Sequence, residues 1–292
     1  MASSAKNPQG QQAGSAFSKI ITGHLYAFPP YYNSEKTVLY NEDCLSILKS
    51  LPENCIDMIF ADPPYFLSNN GFTCRGGKMA SVNKGKWDKS EGFENDLAFH
   101  NLWISECKRV LKPEGTIWIS GTYHSIYVCG YILQANGYRI LNDICWFKPN
   151  ASPNLSCRFF TASHETLLWA RKDEKAKHTF NYEKMKNGDY PEDKIKQPDM
   201  QMRSVWSIAL TKPSEKQYGK HPAQKPYDLL KRIVLASTNG GDIVLDPFCG
   251  SGTTGLVCQN CANRYFIGVE LEKRYCELSK NRLSYSKARY KE

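Results

Sequence analysis

Two short stretches carry residue types whose spacing could do chemistry. In residues 59–69, IFADPPYFLSN, an apolar run ends in Asp62, Pro63, Pro64 and Tyr65. Proline cannot donate to a sheet ladder and its φ is fixed, so a strand must stop near Asp62. The acid and the aromatic are then held on a stiff turn at a strand's C-terminal edge, where open α/β sheets place their ligands. Residues 28–31, FPPY, supply an internal control: they repeat Pro-Pro-Tyr with Phe28 in place of the acid and no strand before them, and read as a plain loop.

The second stretch is DIVLDPFCGSGTTG, residues 242–255. A strand of Ile243, Val244 and Leu245 runs into Gly250-x-Gly252-x-x-Gly255, and a helical pattern opens at Thr253. Glycines there allow a tight turn and let the backbone approach a ligand at a helix N-terminus. The spacing is that of a dinucleotide fingerprint, which also wants an acid about 20 residues on for a ribose hydroxyl. Glu270, closing the strand RYFIGVE, meets that requirement.

The elements that must position these residues are legible in the apolar rhythm. Strands are expected near 37–41, 56–61, 115–120, 138–147, 164–170, 242–246 and 264–269, and helices near 44–50, 97–111, 124–135, 224–237, 252–261 and 272–284. Such alternation predicts a mostly parallel sheet covered on both faces. Only one helical segment follows Glu270, so the sheet has to be completed by earlier strands, and the two motifs should meet at one edge. Residues 171–220 break the rhythm with twelve Lys/Arg against eight Asp/Glu, and are expected to form an inserted recognition region. Residues 1–16 are small and polar and are expected to be disordered.

Composition narrows the class. The chain has 292 residues, 41% hydrophobic and 23% charged, which is ordinary for a soluble globular protein. No apolar run is long enough for a bilayer, and the N-terminus lacks the core of a signal peptide. Eleven cysteines, most inside apolar segments, fit reduced core thiols in the cytoplasm better than disulfides, and the lone Cys258-x-x-Cys261 pair does not make a zinc site. The net charge of +9 favours a polyanionic partner. Residues 72–89 concentrate it, with five Lys/Arg against one Asp, and read as a flexible basic loop. The tail 273–292 is also basic, seven Lys/Arg against two Glu, which is common for solubility alone.

The motifs DPPYFLSN and DPFCGSGTT, in that order, resemble the β-class amino DNA methyltransferases. GKWDKS, PNLSCRFFT, HETLLWARK and GKHPAQKP resemble more closely the DpnA type, the second N6-adenine methyltransferase of GATC restriction–modification systems. The likeness covers about residues 36–285 and departs mainly in 178–202 and at the N-terminus. It implies a Rossmann-like α/β fold of circularly permuted order, in which 17–170 form the catalytic half, 171–220 the DNA target-recognition region and 221–292 the S-adenosylmethionine-binding half.

The resemblance also implies roles. The Asp62 carboxylate and the Pro63 carbonyl would accept the N–H bonds of an exocyclic amine and favour its pyramidalisation, while Pro64 stiffens the turn and Tyr65 stacks on the base. The base must first leave the duplex. The cofactor S-adenosyl-L-methionine would place its ribose at Glu270 and its methionine end on Asp246, Pro247, Phe248, Gly250, Ser251, Gly252 and Thr253. Its adenine would lie near Asp43 and Cys44, with Asp43 either contacting it or capping the next helix. His221 and Lys225, with Gln224, would contact the methionine carboxylate or cap a helix. Arg75, Lys78, Lys84, Lys86 and Trp87 of the loop, with Arg203 and Lys216, are the expected DNA contacts. Phe66 and Trp87 are aromatic candidates for the base pocket or for the core, and His164 and Glu165 read as structural. The expected partner is DNA, as duplex or single strand, with no membrane. A homodimer and a functional partnership with a cognate restriction endonuclease go with the resemblance. Rival readings are an N4-cytosine methyltransferase, a nicotinamide-dependent oxidoreductase and a non-catalytic DNA-binding module.

Overall fold

The computed structural model describes residues 8–68, 72–75, 78–81, 84–188, 190, 197, 200–261 and 263–285. In chain order it runs α1 (Pro8–Lys19), β1 (Tyr32–Ser34), β2 (Thr37–Tyr40), α2 (Cys44–Ser50), β3 (Ile56–Ala61), β4 (Phe72–Arg75), β5 (Lys78–Ser81), α3 (Phe93–Val110) and β6 (Leu111–Gly121). It continues with α4 (Ile126–Ala135), β7 (Arg139–Phe147), β8 (His164–Arg171), α5 (Tyr182–Asn187), β9 (Val205–Ser207), α6 (Tyr227–Ser237), β10 (Ile243–Asp246), α7 (Thr253–Cys261), β11 (Tyr265–Val269) and α8 (Lys273–Tyr285).

The nine-stranded sheet has the order β1-β2-β11-β10-β3-β6-β8-β7-β9. Its centre, from β2 through β11, β10 and β3 to β6, is parallel, while β8 runs antiparallel to both β6 and β7. Side chains of the central strands alternate between two cores, as period-2 geometry requires. Val38, Tyr40, Ile59, Ile117, Leu245 and Ile267 join the core under α2, α3 and α4. Leu39, Met58, Phe60, Trp118, Val244 and Phe266 join the core under α6 and α7. Between β10 and β3 the chain winds off in opposite directions, through α7 to β11 on one side and through α3 to β6 on the other. The crevice outside the carboxyl ends of those two strands is the switch point where open sheets bind ligands.

Every strand and helix expected from the rhythm is present, and the differences lie where the local signal is weak. Helix α1 forms from Pro8, correcting the expected disorder over 8–16; Phe17, buried against the Tyr265 ring at 4.8 Å, supplies the tertiary packing that its polar neighbours conceal. Residues 1–7 lie outside the described residues. The basic loop expected over 72–89 is partly regular: β4 and β5 pair antiparallel, and a 3-10 turn follows at Lys86–Asp88. The region 171–220 is not a pure insertion. Strand β9 pairs with β7 at the sheet's edge, and Met185, Trp206 and Ile208 are buried in the second core. No helix among the described residues is long and apolar enough to cross a membrane.

Candidate active site

Strand β3 delivers Asp62 to the crevice, and the following turn is tied to a segment 20 residues further on. The buried Asp88 carboxylate accepts from the Tyr65 backbone N–H at 3.0 Å and from the Ser68 hydroxyl at 2.8 Å. Phe66 takes a left-handed φ of 55°, a conformation uncommon for a bulky residue and of the kind that clusters at functional sites. The Tyr65 hydroxyl donates to Asp62 Oδ1 at 2.6 Å. Burial, followed by the neighbouring carboxylates, holds that phenol well above its ordinary range, so it stays a donor. Lys84 Nζ lies 4.8 Å from the Tyr65 ring centroid, so a base stacking on that face must displace the ammonium.

Lys225 arrives from the segment before α6 and closes a buried charge cluster. Its Nζ donates to Asp62 Oδ2 at 2.5 Å and to the Tyr65 hydroxyl at 3.1 Å, and lies 3.6 Å from Glu165. Glu165, on β8, also accepts from Lys148 at 3.1 Å. Two carboxylates thus face two ammoniums, which is what allows four charges to sit away from water. Burial raises the Asp62 carboxyl, against the pull of Lys225 and with the push of Glu165. Burial would raise Glu165 too, but Lys225 and Lys148 outweigh it and hold that carboxyl at about 2. The same carboxylates outweigh burial at Lys225 and keep its ammonium charged. Asp62 is therefore the carboxyl of the pair raised above its ordinary value, and Glu165 the one lowered. Glu165 and Lys148 adjoin this site through Lys225, although Glu165 reads as structural in sequence.

Across the crevice, β10 and β11 end in Asp246 and Glu270. The backbone turns at Gly250 (φ 51°) and Gly252 (φ 73°), in the left-handed region that glycine alone adopts freely. Glu270 accepts from the Gly250 N–H at 2.9 Å and from the Glu272 N–H at 2.8 Å; Asp246 accepts from Phe248 N–H at 3.1 Å and from the Thr254 hydroxyl at 2.5 Å. Burial pushes both carboxyls up, each to about 7. Helix α8 braces the turn from behind: Ser279 donates to the Gly250 carbonyl at 2.7 Å, and Arg282 to the Ser251 carbonyl at 2.6 Å. Arg282 is 2% exposed, so the basic tail has a structural task besides solubility.

Asp62, Tyr65, Lys225, Asp246, Gly250 and Glu270 line one cavity of about 320 Å³. Asp43 and Cys44 flank it from the end of β2; the Asp43 carboxylate caps α2 through the Ser46 N–H at 3.0 Å, and burial pushes the Cys44 thiol up to about 12. His221 packs on Tyr275 at 4.1 Å and stacks near Trp87 at 6.2 Å. Burial, then Lys225 and other cations, lowers His221 to about 3 and leaves it neutral. The cavity suits a ribosylated, charged ligand on several counts: the cradle made by Gly250 and Gly252, two carboxyls at strand ends, and the Gln224 Oε1 and Trp87 Nε1 atoms, which are buried without partners among the described residues.

Sequence reasoning placed Asp62, Pro63, Pro64, Tyr65, Asp43, Cys44, His221, Lys225, Asp246, Pro247, Phe248, Gly250, Ser251, Thr253 and Glu270 at the site, and all of them line the cavity. Gly252 holds the turn beneath it. The Lys225 ammonium serves Asp62 and Glu165. Among the expected DNA contacts, Lys84 and Trp87 are cavity-wall residues, Arg203 is exposed and Lys216 half-buried away from the crevice. The side chains of Arg75, Lys78 and Lys86 lie outside the described residues. Phe66 is in the wall, edge-on to Phe99 at 6.1 Å, and His164 is exposed.

Residues 56–281 match the family model described as DNA methylase. The chain is 51% identical over 262 residues to the Type II methyltransferase M2.DpnII of Streptococcus pneumoniae, covering 89% of this chain and 94% of that one. It is 50% identical over 270 residues to the Type II methyltransferase M2.LlaDCHI of Lactococcus lactis subsp. cremoris, covering 92% and 97%. Among solved structures, the M1.HpyAVI–SAM complex superposes with a TM-score of 0.61 at 31% identity, over 85% of this chain and 98% of that one.

Proposed function

The chain belongs to the DNA methylase family and is an S-adenosylmethionine-dependent DNA methyltransferase; from that premise we propose that it methylates the N6 amine of an adenine turned out of the duplex. The observation that carries the reading is the Asp62 carboxylate, fixed by Tyr65 and Lys225 in the same cavity as the glycine turn and Glu270.

The cofactor supplies an electrophilic methyl group on a sulfonium; everything else falls to the chain. Glu270 and the Gly250–Gly252 turn would hold the ribose and the methionine end, with Asp43 and Cys44 beside the adenine. The Asp62 carboxylate and the Pro63 carbonyl would accept the two amine N–H bonds, drawing the nitrogen lone pair out of the ring. Such alignment is positioning and electrostatic work. A methylated amine must shed one proton, and Asp62, raised by burial, is the acceptor beside it. Lys225 keeps Asp62 oriented and its charge compensated, and Glu165 and Lys148 keep Lys225 in place. An adenine-directed acid at position 62 favours this reading over N4-cytosine methylation.

By resemblance the target is the adenine of GATC, with residues 72–89 meeting phosphates and 171–220 reading base edges. A homodimeric state and a cognate endonuclease complete the proposal. Incubating plasmid with labelled cofactor and mapping the modified base tests it. Methyl should appear on adenine in GATC and disappear with Asp62→Ala. Turnover of that variant within about tenfold of the parent, equivalent to about 1.4 kcal/mol, would refute the role given to Asp62.

A further inference from the structure

We propose that the loop joining β7 to β8 is a wedge that enters the duplex next to the target base, with Phe160 as the inserted side chain. The inference rests on the DNA-methylating function given above and adds the element that opens the stack.

Phe160 is 99% exposed and its neighbour Phe159 68%. A scattered exposed apolar residue needs no explanation, but two adjacent phenylalanines presented to water by an internally braced loop do. The brace is visible. Asn154 donates through Nδ2 to the Phe159 carbonyl at 2.7 Å and accepts through Oδ1 from Ser156 N–H at 3.0 Å and Ser156 Oγ at 2.8 Å. Cys157 is held at a left-handed φ of 53°. The aromatic pair is therefore displayed by a built turn.

The loop's root is in the reaction centre. The Lys148 N–H donates to the Ser163 carbonyl at 2.7 Å and closes the loop's base, and Lys148 Nζ bonds Glu165, which lies 3.6 Å from the Lys225 that holds Asp62. Strand β8 is antiparallel to β6 with Thr166 facing Gly121, so the loop emerges at the same sheet edge as Asp62. Exposed Arg158 precedes the pair, in a chain of net charge +9. Charge and position favour DNA as the occupant over a second copy of the chain. Apolar wedges between base steps are a general means of unstacking a duplex, and extrusion of a paired base costs a few kcal/mol, less for a mispaired one.

The experiment compares the wild-type chain with Phe160→Ser and Phe160→Trp on three substrates: a GATC duplex, the same duplex with the target adenine mispaired, and the single strand. For Phe160→Ser, kcat/KM on the paired duplex should fall about tenfold or more, with less than about twofold change on the mispaired and single-stranded substrates. Phe160→Trp should keep most duplex activity. With 2-aminopurine at the target position, saturating wild type should raise the fluorescence of the paired duplex and Phe160→Ser should not. An equal fall on all three substrates, no fall on the paired duplex, or loss of a dimer as the sole effect would overturn the wedge. A wild-type chain that methylates none of the three would overturn the function itself, so the two failures are distinguishable.

Discussion

Replacing Lys225 by methionine tests the charge cluster that the proposed chemistry depends on. Its side chain is 8% exposed, and its ammonium lies 2.5 Å from Asp62 and 3.6 Å from Glu165. At an effective dielectric of about 20, the gross attraction over the shorter distance is about 7 kcal/mol, and desolvation of the buried ions takes back a large share. Removing one partner of such a pair leaves an unpaired buried charge: Lys148 alone cannot balance two carboxylates. The expected loss of stability is about 3–5 kcal/mol at pH 8. The sign of its pH dependence follows from the carboxyl that must absorb the excess. Asp62 is already raised by burial, and it rises further when its cation is gone. A carboxyl with a raised folded-state pKa binds more protons folded than unfolded, so stability falls as pH rises through that range, by up to about 1.4 kcal/mol per unit. The penalty should therefore be smaller at pH 5.5 than at pH 8. Urea unfolding followed by tryptophan fluorescence measures it in wild type, Lys225→Met and Lys225→Met/Asp62→Asn. The double variant, with the excess charge removed, should recover more than half of the loss. A loss below about 1 kcal/mol, or one equal at both pH values, would show that the cluster is not held together as the geometry implies.

The cofactor side makes a pH prediction of its own. Glu270 sits at about 7, and a ribose diol donates to its ionised form, so affinity should rise from pH 6 to pH 8 and binding should release protons. Calorimetry should show about a tenfold gain over that range, much reduced in Glu270→Gln; a flat profile in the parent would remove Glu270 from the ribose site. Gly250→Val forces a branched side chain into φ 51°, with its Cβ 3.1 Å from the His221 ring, and should weaken the cofactor about tenfold or more; unchanged affinity would exclude close backbone approach there. Neutralising Lys78, Lys84 and Lys86 together should flatten the salt dependence of duplex binding by about 0.9 for each lysine that meets a phosphate. Lys84→Ala alone, whose ammonium is turned over the Tyr65 ring, should leave the slope nearly unchanged, and an unchanged slope in the triple variant would refute the assignment of 72–89 to phosphates.

Local signals in this sequence determined a great deal. Apolar alternation placed the seven strands and six helices that frame the crevice, because burial on a sheet face or a helix stripe writes a period of its own into the chain. Asp62-Pro-Pro-Tyr65 and the Gly250–Gly255 turn were legible because proline and glycine act on the backbone at their own positions. The acid Glu270 followed from a fixed distance beyond a glycine turn. Contacts across the fold were not legible in this way. Lys225 meets Asp62 across 163 residues, and Tyr65 lies beside Glu165 across 100. Periodicity says which side of an element is buried and nothing about which element lies beside it, so the meeting of Lys225 and Glu165 with Asp62 had no local signal. Arg282 and Phe17 repeat the lesson towards the two ends of the chain, where a basic tail braces the Ser251 turn and a polar N-terminal segment packs its one aromatic on Tyr265. Only the strand order, which sets β10 beside β3 and β8 beside β6, decides that these distant charges share one water-poor space and compensate one another.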